Sequence, residues 1–191
     1  MKKIFLDCGT HLGQGLKEIG DKIGVDHSWS VHSWEANPFT FQQLDHSAFP
    51  SNYQFYNKAI GTYNGVAVLN IESTLEGDIG QGTSIVEKQL WMNPMHRGEF
   101  NKTVEVECED LSSWVLSNCC SDDYVVLKLD VEGVEYDVLD KMIKDESIQL
   151  IDQLFIEWHA RFFPNKEEYW QRQEHLIETL RDNNIDIVRW G

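Results

Sequence analysis

The change of hydrophobic period within residues 124–139 is the feature that most constrains the fold of this chain. Its first six residues form a near-continuous apolar run, the pattern of a strand buried on both faces of a parallel sheet. Asp130 ends the run, and an apolar stripe with helical spacing begins at Val134. Because ligands of open α/β sheets bind outside the carboxyl ends of the strands, Asp130 and Glu132 are predicted to lie at a ligand site. For either acid alone, a solvated capping turn is the alternative.

A second transition of this kind lies near the start of the sequence. A short strand, residues 3–6, is followed by Asp7, by a glycine-rich loop and by a helix. The loop glycines are Gly9, Gly13 and Gly15. Such a loop can bring backbone N–H groups to a ligand, and the start of a helix favours an anionic group. The next strand ends at Glu35, at the spacing of about 20 residues at which an acid commonly binds ribose hydroxyls. These features together favour a ligand that contains a nucleoside.

Two classes of cofactor fit this description. The glycine spacing also matches the GxxxGxG of short-chain dehydrogenases, and Tyr124 and Lys128 supply a YxxxK. Those enzymes need the two side chains one helical turn apart, whereas a strand separates them by roughly 13 Å. Asp7 would also repel a pyrophosphate and suits a cationic ligand such as S-adenosylmethionine. An NAD(P)-dependent oxidoreductase and a catalytically silent S-adenosylmethionine-binding module are the alternatives to an enzyme that uses S-adenosylmethionine.

Five segments carry a resemblance to a known family. In order, they are FLDCGTHLGQG, SWEANP, NKAIG, LKLDVEGVEYDVL and LFIEWH. The chain resembles the FkbM-type S-adenosylmethionine-dependent methyltransferases over most of its length, most specifically in LKLDVEGVE. The resemblance implies an α/β, Rossmann-like class I methyltransferase fold with a mostly parallel central sheet flanked by helices. It also implies S-adenosylmethionine as the methyl donor and a hydroxyl as the usual acceptor.

The resemblance assigns cofactor residues by their positions in the motifs. The loop after the first strand would hold the methionine side, with Thr10 and His11 in place of the more usual Ala-Asn, and Glu35 would hold the ribose. Two asparagines would lie near the adenine, and Asp130 would orient the cofactor or the acceptor. The cofactor residues implied in this way are Asp7, Gly9, Thr10, His11, Gly13, Glu35, Asn37, Asn57 and Asp130.

Candidate catalytic residues follow a later strand, predicted over residues 150–156. Glu157 and His159 are two residues apart, so we expect them to point the same way, toward Asp130. Histidine is the usual general base near neutral pH, and His159 or Glu132 is predicted to take the proton of the acceptor. A structural role for His159 is the alternative. These four side chains would also suit Mg²⁺ or Mn²⁺, but their spacing is not diagnostic and no metal is expected.

The segment 73–102 is the candidate substrate lid, because long loops inside compact domains are usually functional. Its candidate substrate-binding residues are Ser84, Trp91, His96 and Arg97. An excursion that binds no ligand is the alternative.

Composition bounds the class of protein. The 191 residues suit one domain, residues 1–191. The net charge of −16 argues against nucleic acid and anionic membranes as partners and leaves a small-molecule or saccharide acceptor. The four cysteines lack CxxC spacing, which favours reduced thiols. No apolar run reaches the length of a membrane span and no signal peptide is evident, so a cytoplasmic enzyme is expected.

The final strand, residues 185–190, predicts an unusual end to the sheet. Class I methyltransferase sheets usually end in a hairpin, which here is predicted to be shortened by one strand. We expect the resulting gap to be filled by residues 66–71 or 103–108, or to be covered by a second subunit in a homodimer.

Overall fold

The computed structural model describes residues 1–87 and 98–190. Its strands are β1 (Lys3–Cys8), β2 (Trp29–Trp34), β3 (Gln54–Tyr56), β4 (Ala59–Gly61), β5 (Gly65–Ser73), β6 (Glu99–Asp110), β7 (Tyr124–Leu129), β8 (Gln153–Ile156) and β9 (Asp186–Arg189). Its α-helices are α1 (Gln14–Ile23), α2 (Pro38–Gln43), α3 (Leu111–Asn118), α4 (Glu135–Lys144) and α5 (Lys166–Asp182). Short 3₁₀-helices span His46–Ala48, Ser147–Leu150 and Ala160–Phe162.

Six strands form one parallel sheet in the order β3-β2-β1-β7-β8-β9. Alternate side chains of its central strands enter different hydrophobic clusters, as Leu6 packs with Leu139 of α4 and Phe5 packs with Ile19 of α1. Helices therefore cover both faces, which explains why β1 and β7 are apolar along almost their whole length. This arrangement confirms the predicted α/β class with a parallel central sheet flanked by helices, and it is compatible with a Rossmann-like fold.

The mid-chain strands form a second sheet, in the order β4-β6-β5. Strands β5 and β6 are antiparallel neighbours in this sheet, and Leu69, Ile71 and Val106 belong to a separate buried cluster. The prediction that residues 66–71 or 103–108 fill a gap in the main sheet is therefore wrong. Strand β9 pairs directly with β8, in parallel, so the main sheet needs no inserted strand there. The homodimer stays a prediction.

The two sheets share buried contacts. Ile60 of β4 and Phe100 of β6 belong to the same hydrophobic cluster as Leu129 of β7. Strand β8 begins three residues later than predicted because Ser147–Leu150 forms a 3₁₀-helix that buries Ile148. None of the helices in the described ranges is both long and apolar enough to cross a membrane.

Candidate functional site

A cleft of about 1290 Å³ lies at the carboxyl ends of β1, β2, β7 and β8. Its walls are the loop after β1, the end of β2, part of the segment that follows β5, and the turns after β7 and β8. The predicted site residues that line it are Gly9, Thr10, His11, Glu35, Ser84, Asp130, Glu132, Glu157 and His159. Those that do not line it are Asp7, Gly13, Asn37 and Asn57. Trp91, His96 and Arg97 lie outside the described residues.

The glycine loop packs tightly against the turn after β7. Gly9 has a φ of 90°, and a Cβ placed on it would lie 1.7 Å from the backbone oxygen of Asp130. The N–H groups of Gly9 and Thr10 both donate to the carbonyl of Trp34 at 3.0 Å. The backbone of His11 donates to the Glu35 carboxylate. The expected cradle of N–H groups from residues 9–11 is therefore already engaged within the protein.

Glu35 is buried at the end of β2, where it is 8% exposed on the cleft wall. Its Oε2 accepts from the backbone N–H of His11 and its Oε1 from that of Asn37, both at 2.7 Å. Burial raises the pKa of Glu35, and these two hydrogen bonds oppose the shift. Each carboxylate oxygen keeps a further lone pair, so Glu35 can accept hydrogen bonds from two neighbouring hydroxyls of a ligand.

His11 closes this side of the cleft. The residue has a φ of 50°, and its Nε2 lies 3.0 Å from the carbonyl oxygen of Ile79. Its Nδ1 is buried, and in the described part of the chain that atom has no hydrogen-bond partner. A buried ring nitrogen without a partner on a cleft wall is a polar group that a ligand could satisfy.

The side chains of the two asparagines assigned to the adenine form hydrogen bonds with backbone groups of the protein. Asn37 caps α2 by accepting from the N–H of Phe39 at 3.0 Å, and its Nδ2 donates to the carbonyl of Asp78 at 2.8 Å. Asn57 donates to the carbonyl of Glu35 at 2.8 Å. Both side chains fix the chain around Glu35 and neither lines the cleft, and their contact with adenine stays a prediction.

Asp7 also departs from its predicted role. It is 0% exposed, accepts from the Ser33 hydroxyl at 2.9 Å and lies 3.3 Å from the Lys128 ammonium. The same ammonium lies 3.3 Å from Asp130 and donates to the carbonyl of Gly9 at 2.6 Å. A cation of the protein, rather than of a ligand, therefore neutralises Asp7. Burial favours the neutral amine, but the two carboxylates outweigh it and raise the pKa of Lys128.

His159 lies at the other end of the cleft, 1% exposed. Its Nδ1 is 2.9 Å from Oε1 of Glu135, a residue that the sequence interpretation missed. The same carboxylate accepts from the backbone N–H of Val131 at 2.8 Å and of Gly133 at 2.9 Å. The signal in the sequence was an acid in the first turn of a helix, two residues after a glycine, where N–H groups are unpaired.

Three carboxylates surround the Nε2 atom of His159. The distances are 3.4 Å to Glu132, 3.7 Å to Glu157 and 3.8 Å to Asp130. The structure thus brings together the four side chains that the sequence placed at this edge. Glu157 also forms an ion pair of 2.7 Å with Arg161.

Two pKa values in this cluster depart from their ordinary range. Burial alone would lower the pKa of His159, but the carboxylates of Glu135 and Glu132 raise it well above its usual value. Burial raises the pKa of Glu132 to about 7, although the nearby His159 opposes this. Of the two predicted proton acceptors, Glu132 is therefore the one whose pKa lies near neutral pH, whereas the shift at His159 favours the protonated ring.

The donors that could hold a metal ion are Asp130, Glu135 and His159, whose ligand atoms lie within 4.8 Å of one another. Each of the three already has a partner in the protein, since Asp130 lies 3.3 Å from the Lys128 ammonium and Glu135 lies 2.9 Å from Nδ1 of His159. The cluster is thus accounted for by its internal contacts, and no metal is assigned to it.

Ser84 connects the segment after β5 to the turn after β7. Its hydroxyl donates to the carbonyl of Glu132 at 2.5 Å, and its backbone pairs with Asn70 of β5. This hydroxyl holds the turn that carries Glu132, which differs from the predicted contact with substrate.

The fold places the protein among α/β proteins with a cleft at the carboxyl ends of a parallel sheet. The chain belongs to the family described as a domain of unknown function (DUF7870), whose model matches residues 86–191, more than half of the sequence. The match includes the carboxylates around His159 but not the glycine loop or Glu35. No curated protein matches the chain significantly, and neither does any solved structure.

Proposed function

We propose that the protein is an S-adenosylmethionine-dependent methyltransferase of the class I fold, which methylates a hydroxyl of a small molecule or saccharide. The observation that carries the proposal is one cleft with two chemically different ends. Glu35 and the glycine loop form one end, and the carboxylates around His159 form the other. An acid after β2 suits a ribose, and a proton acceptor across the cleft suits a hydroxyl that must lose its proton.

The residues present fit the cofactor. A cleft of about 1290 Å³ exceeds the roughly 300–1,000 Å³ of a pocket for one ligand, which leaves room for a donor and an acceptor together. Glu35 would hold the ribose hydroxyls, and Nδ1 of His11 offers a buried polar atom that needs a partner. When bound, the cofactor supplies an electrophilic methyl group, while the protein aligns the acceptor and excludes water.

The acceptor end supplies the proton chemistry. Asp130, Glu132 and Glu157 face one region beside His159, so a hydroxyl bound there can pass its proton to a carboxylate. The described part of the proposed lid, from Thr74 to Ile85, borders the same cleft. It would limit the access of water during transfer.

A dinucleotide-dependent oxidoreductase is the second candidate, and one observation favours it. The six parallel strands follow the 3-2-1-4-5-6 order of dinucleotide-binding sheets. Two observations weigh against it. Lys128 is buried between Asp7 and Asp130 within β7, and Tyr124 lies at the opposite end of that strand, remote from the cleft. The pair therefore cannot act together on a substrate.

The transfer itself can be tested by incubating the protein with S-adenosylmethionine that carries a labelled methyl group and a panel of sugars, polyols and phenols. Mass spectrometry should find one class of acceptor that gains the label. Label gained only by amines or thiols would contradict the proposed hydroxyl acceptor.

Replacement of Glu35 with Ala is expected to weaken binding of S-adenosylhomocysteine by about 2 to 4 kcal/mol, because two charge-assisted hydrogen bonds to the ribose are lost. Calorimetric titration measures the affinity, and thermal unfolding checks that the variant is folded. Glu178→Ala is the matched control, since Glu178 is an exposed acid on α5 that does not line the cleft. Equal affinities in the two folded variants would show that Glu35 does not bind the ribose.

A further inference from the structure

The ring of His159 has carboxylates on both of its nitrogens. Glu135 of α4 faces Nδ1 at 2.9 Å. Asp130 and Glu132 in the turn after β7, together with Glu157 after β8, face Nε2 at 3.4 to 3.8 Å. These groups come from the first turn of α4, the turn after β7 and the residue that follows β8.

The positions of these carboxylates favour one protonation state of the His159 ring over the other. A neutral imidazole has a proton on one nitrogen only, so its other nitrogen would turn a lone pair toward carboxylate oxygens. An imidazolium donates from both nitrogens and suits both surroundings. The direction of the pKa shift of His159 agrees, since the charges of Glu135 and Glu132 outweigh the effect of burial.

The other cations beside these carboxylates are already engaged. Lys128 lies between Asp7 and Asp130, at 3.3 Å from each. Arg161 pairs with Glu157 at 2.7 Å. Within the described part of the chain, a protonated ring of His159 would therefore supply the positive charge at the centre of these carboxylates.

Glu135 fixes this ring. The carboxylate is 0% exposed, and it binds the backbone N–H groups of Val131 and Gly133 as well as Nδ1 of His159. One side chain therefore sets both the shape of the turn that carries Glu132 and the orientation of the ring beside it. These three contacts hold the carboxylate in one orientation.

We propose that Glu135 is a positioning residue that holds His159 as an imidazolium, and that Glu132, rather than His159, is the catalytic base. The assignment of a base rests on the proposed methyl transfer, whereas the state of the ring does not. In the reaction, the acceptor oxygen forms a bond to the methyl carbon as the carbon–sulfur bond breaks. The electron pair of that bond goes to sulfur, and the hydroxyl proton goes to the Glu132 carboxylate.

The state of the ring can be measured without cofactor or acceptor. Nuclear magnetic resonance of protein labelled with ¹⁵N in its histidine rings distinguishes an imidazolium from either neutral tautomer. The His159→Gln variant identifies the signals of His159 among the seven histidines. We expect wild-type His159 to remain an imidazolium through the pH range, near 6.5, in which a free histidine loses its proton. A neutral ring at that point would overturn the proposal.

The variant Glu135→Gln tests the positioning role. Its His159 should lose the proton at a lower pH than in the wild type, whereas Glu178→Gln, on the exposed face of α5, should leave the titration unchanged. If Glu135→Gln does not fold, Glu132→Gln provides a second test, because it removes a charge near Nε2 and should shift the titration in the same direction. If His159 loses its proton at the wild-type pH in both variants, the proposed role of the carboxylates is overturned. If His159 is an imidazolium but the protein transfers no methyl group, the proposed function is contradicted and the proposed state of the ring is not.

Discussion

Replacement of Glu132 with Gln is expected to lower the turnover of an identified acceptor by roughly 10² to 10⁴, with little change in the affinity for S-adenosylhomocysteine. The amide keeps the shape of the side chain but cannot take a proton from the hydroxyl. Wild-type turnover should rise with pH through about 7, where the Glu132 carboxyl loses its proton. The variant should lose this rise. Rates of the wild type and the variant are measured across that pH range, with Glu178→Gln as the control, because Glu178 is exposed on α5 and does not line the cleft.

Glu132→Gln is also expected to change the stability of the fold, so a loss of turnover can be distinguished from a loss of folded protein. The pKa of Glu132 is raised in the folded protein, so the carboxyl stabilises the fold below its ordinary pKa and this contribution is lost as pH rises through about 7. Glu132→Gln should therefore unfold at or above the wild-type temperature under alkaline conditions. A variant with near-normal turnover would remove Glu132 from the reaction, and an unfolded variant would contradict the stability argument.

Replacement of Lys128 with Met is expected to reduce the free energy of unfolding by about 3 to 5 kcal/mol, since it leaves Asp7 buried without its counter-ion. Urea denaturation measures the loss. The double variant Asp7→Asn, Lys128→Met should recover most of it, because no unpaired charge then remains in the interior. Lys17→Met, on the exposed face of α1, is the matched control. If Lys128→Met unfolds at the same urea concentration as Lys17→Met, the buried ion pair does not stabilise the fold.

The main sheet and the edge that carries the site could be predicted from the sequence. Apolar runs identify β1 and β7, and the acids that follow β2, β7 and β8 must lie at one edge because the strands are parallel. The pairing of β5 with β6 could not be predicted, since alternation shows that one face is buried but does not show against which partner.

The contacts of individual side chains were harder to predict because they depend on long-range register. Asp7 and Lys128 are direct neighbours across β1 and β7, although 120 residues lie between them in sequence. The single lysine in a buried strand signalled an internal counter-ion, but not which acid it pairs with. Glu135 and His159 meet only when α4 and the turn after β8 come together. The role of Asn37 could not be predicted for another reason. An asparagine before a proline is suited both to capping a helix and to binding a ligand.

Calorimetric titration of the wild-type protein with S-adenosylhomocysteine and, separately, with NAD⁺ and NADH tests the central claim most directly. We expect saturable binding of S-adenosylhomocysteine at one site per chain and competition by S-adenosylmethionine. We expect no binding of either nicotinamide cofactor at matched concentrations. Binding of NAD⁺ or NADH without binding of S-adenosylhomocysteine would contradict it and would favour the oxidoreductase that the strand order also permits.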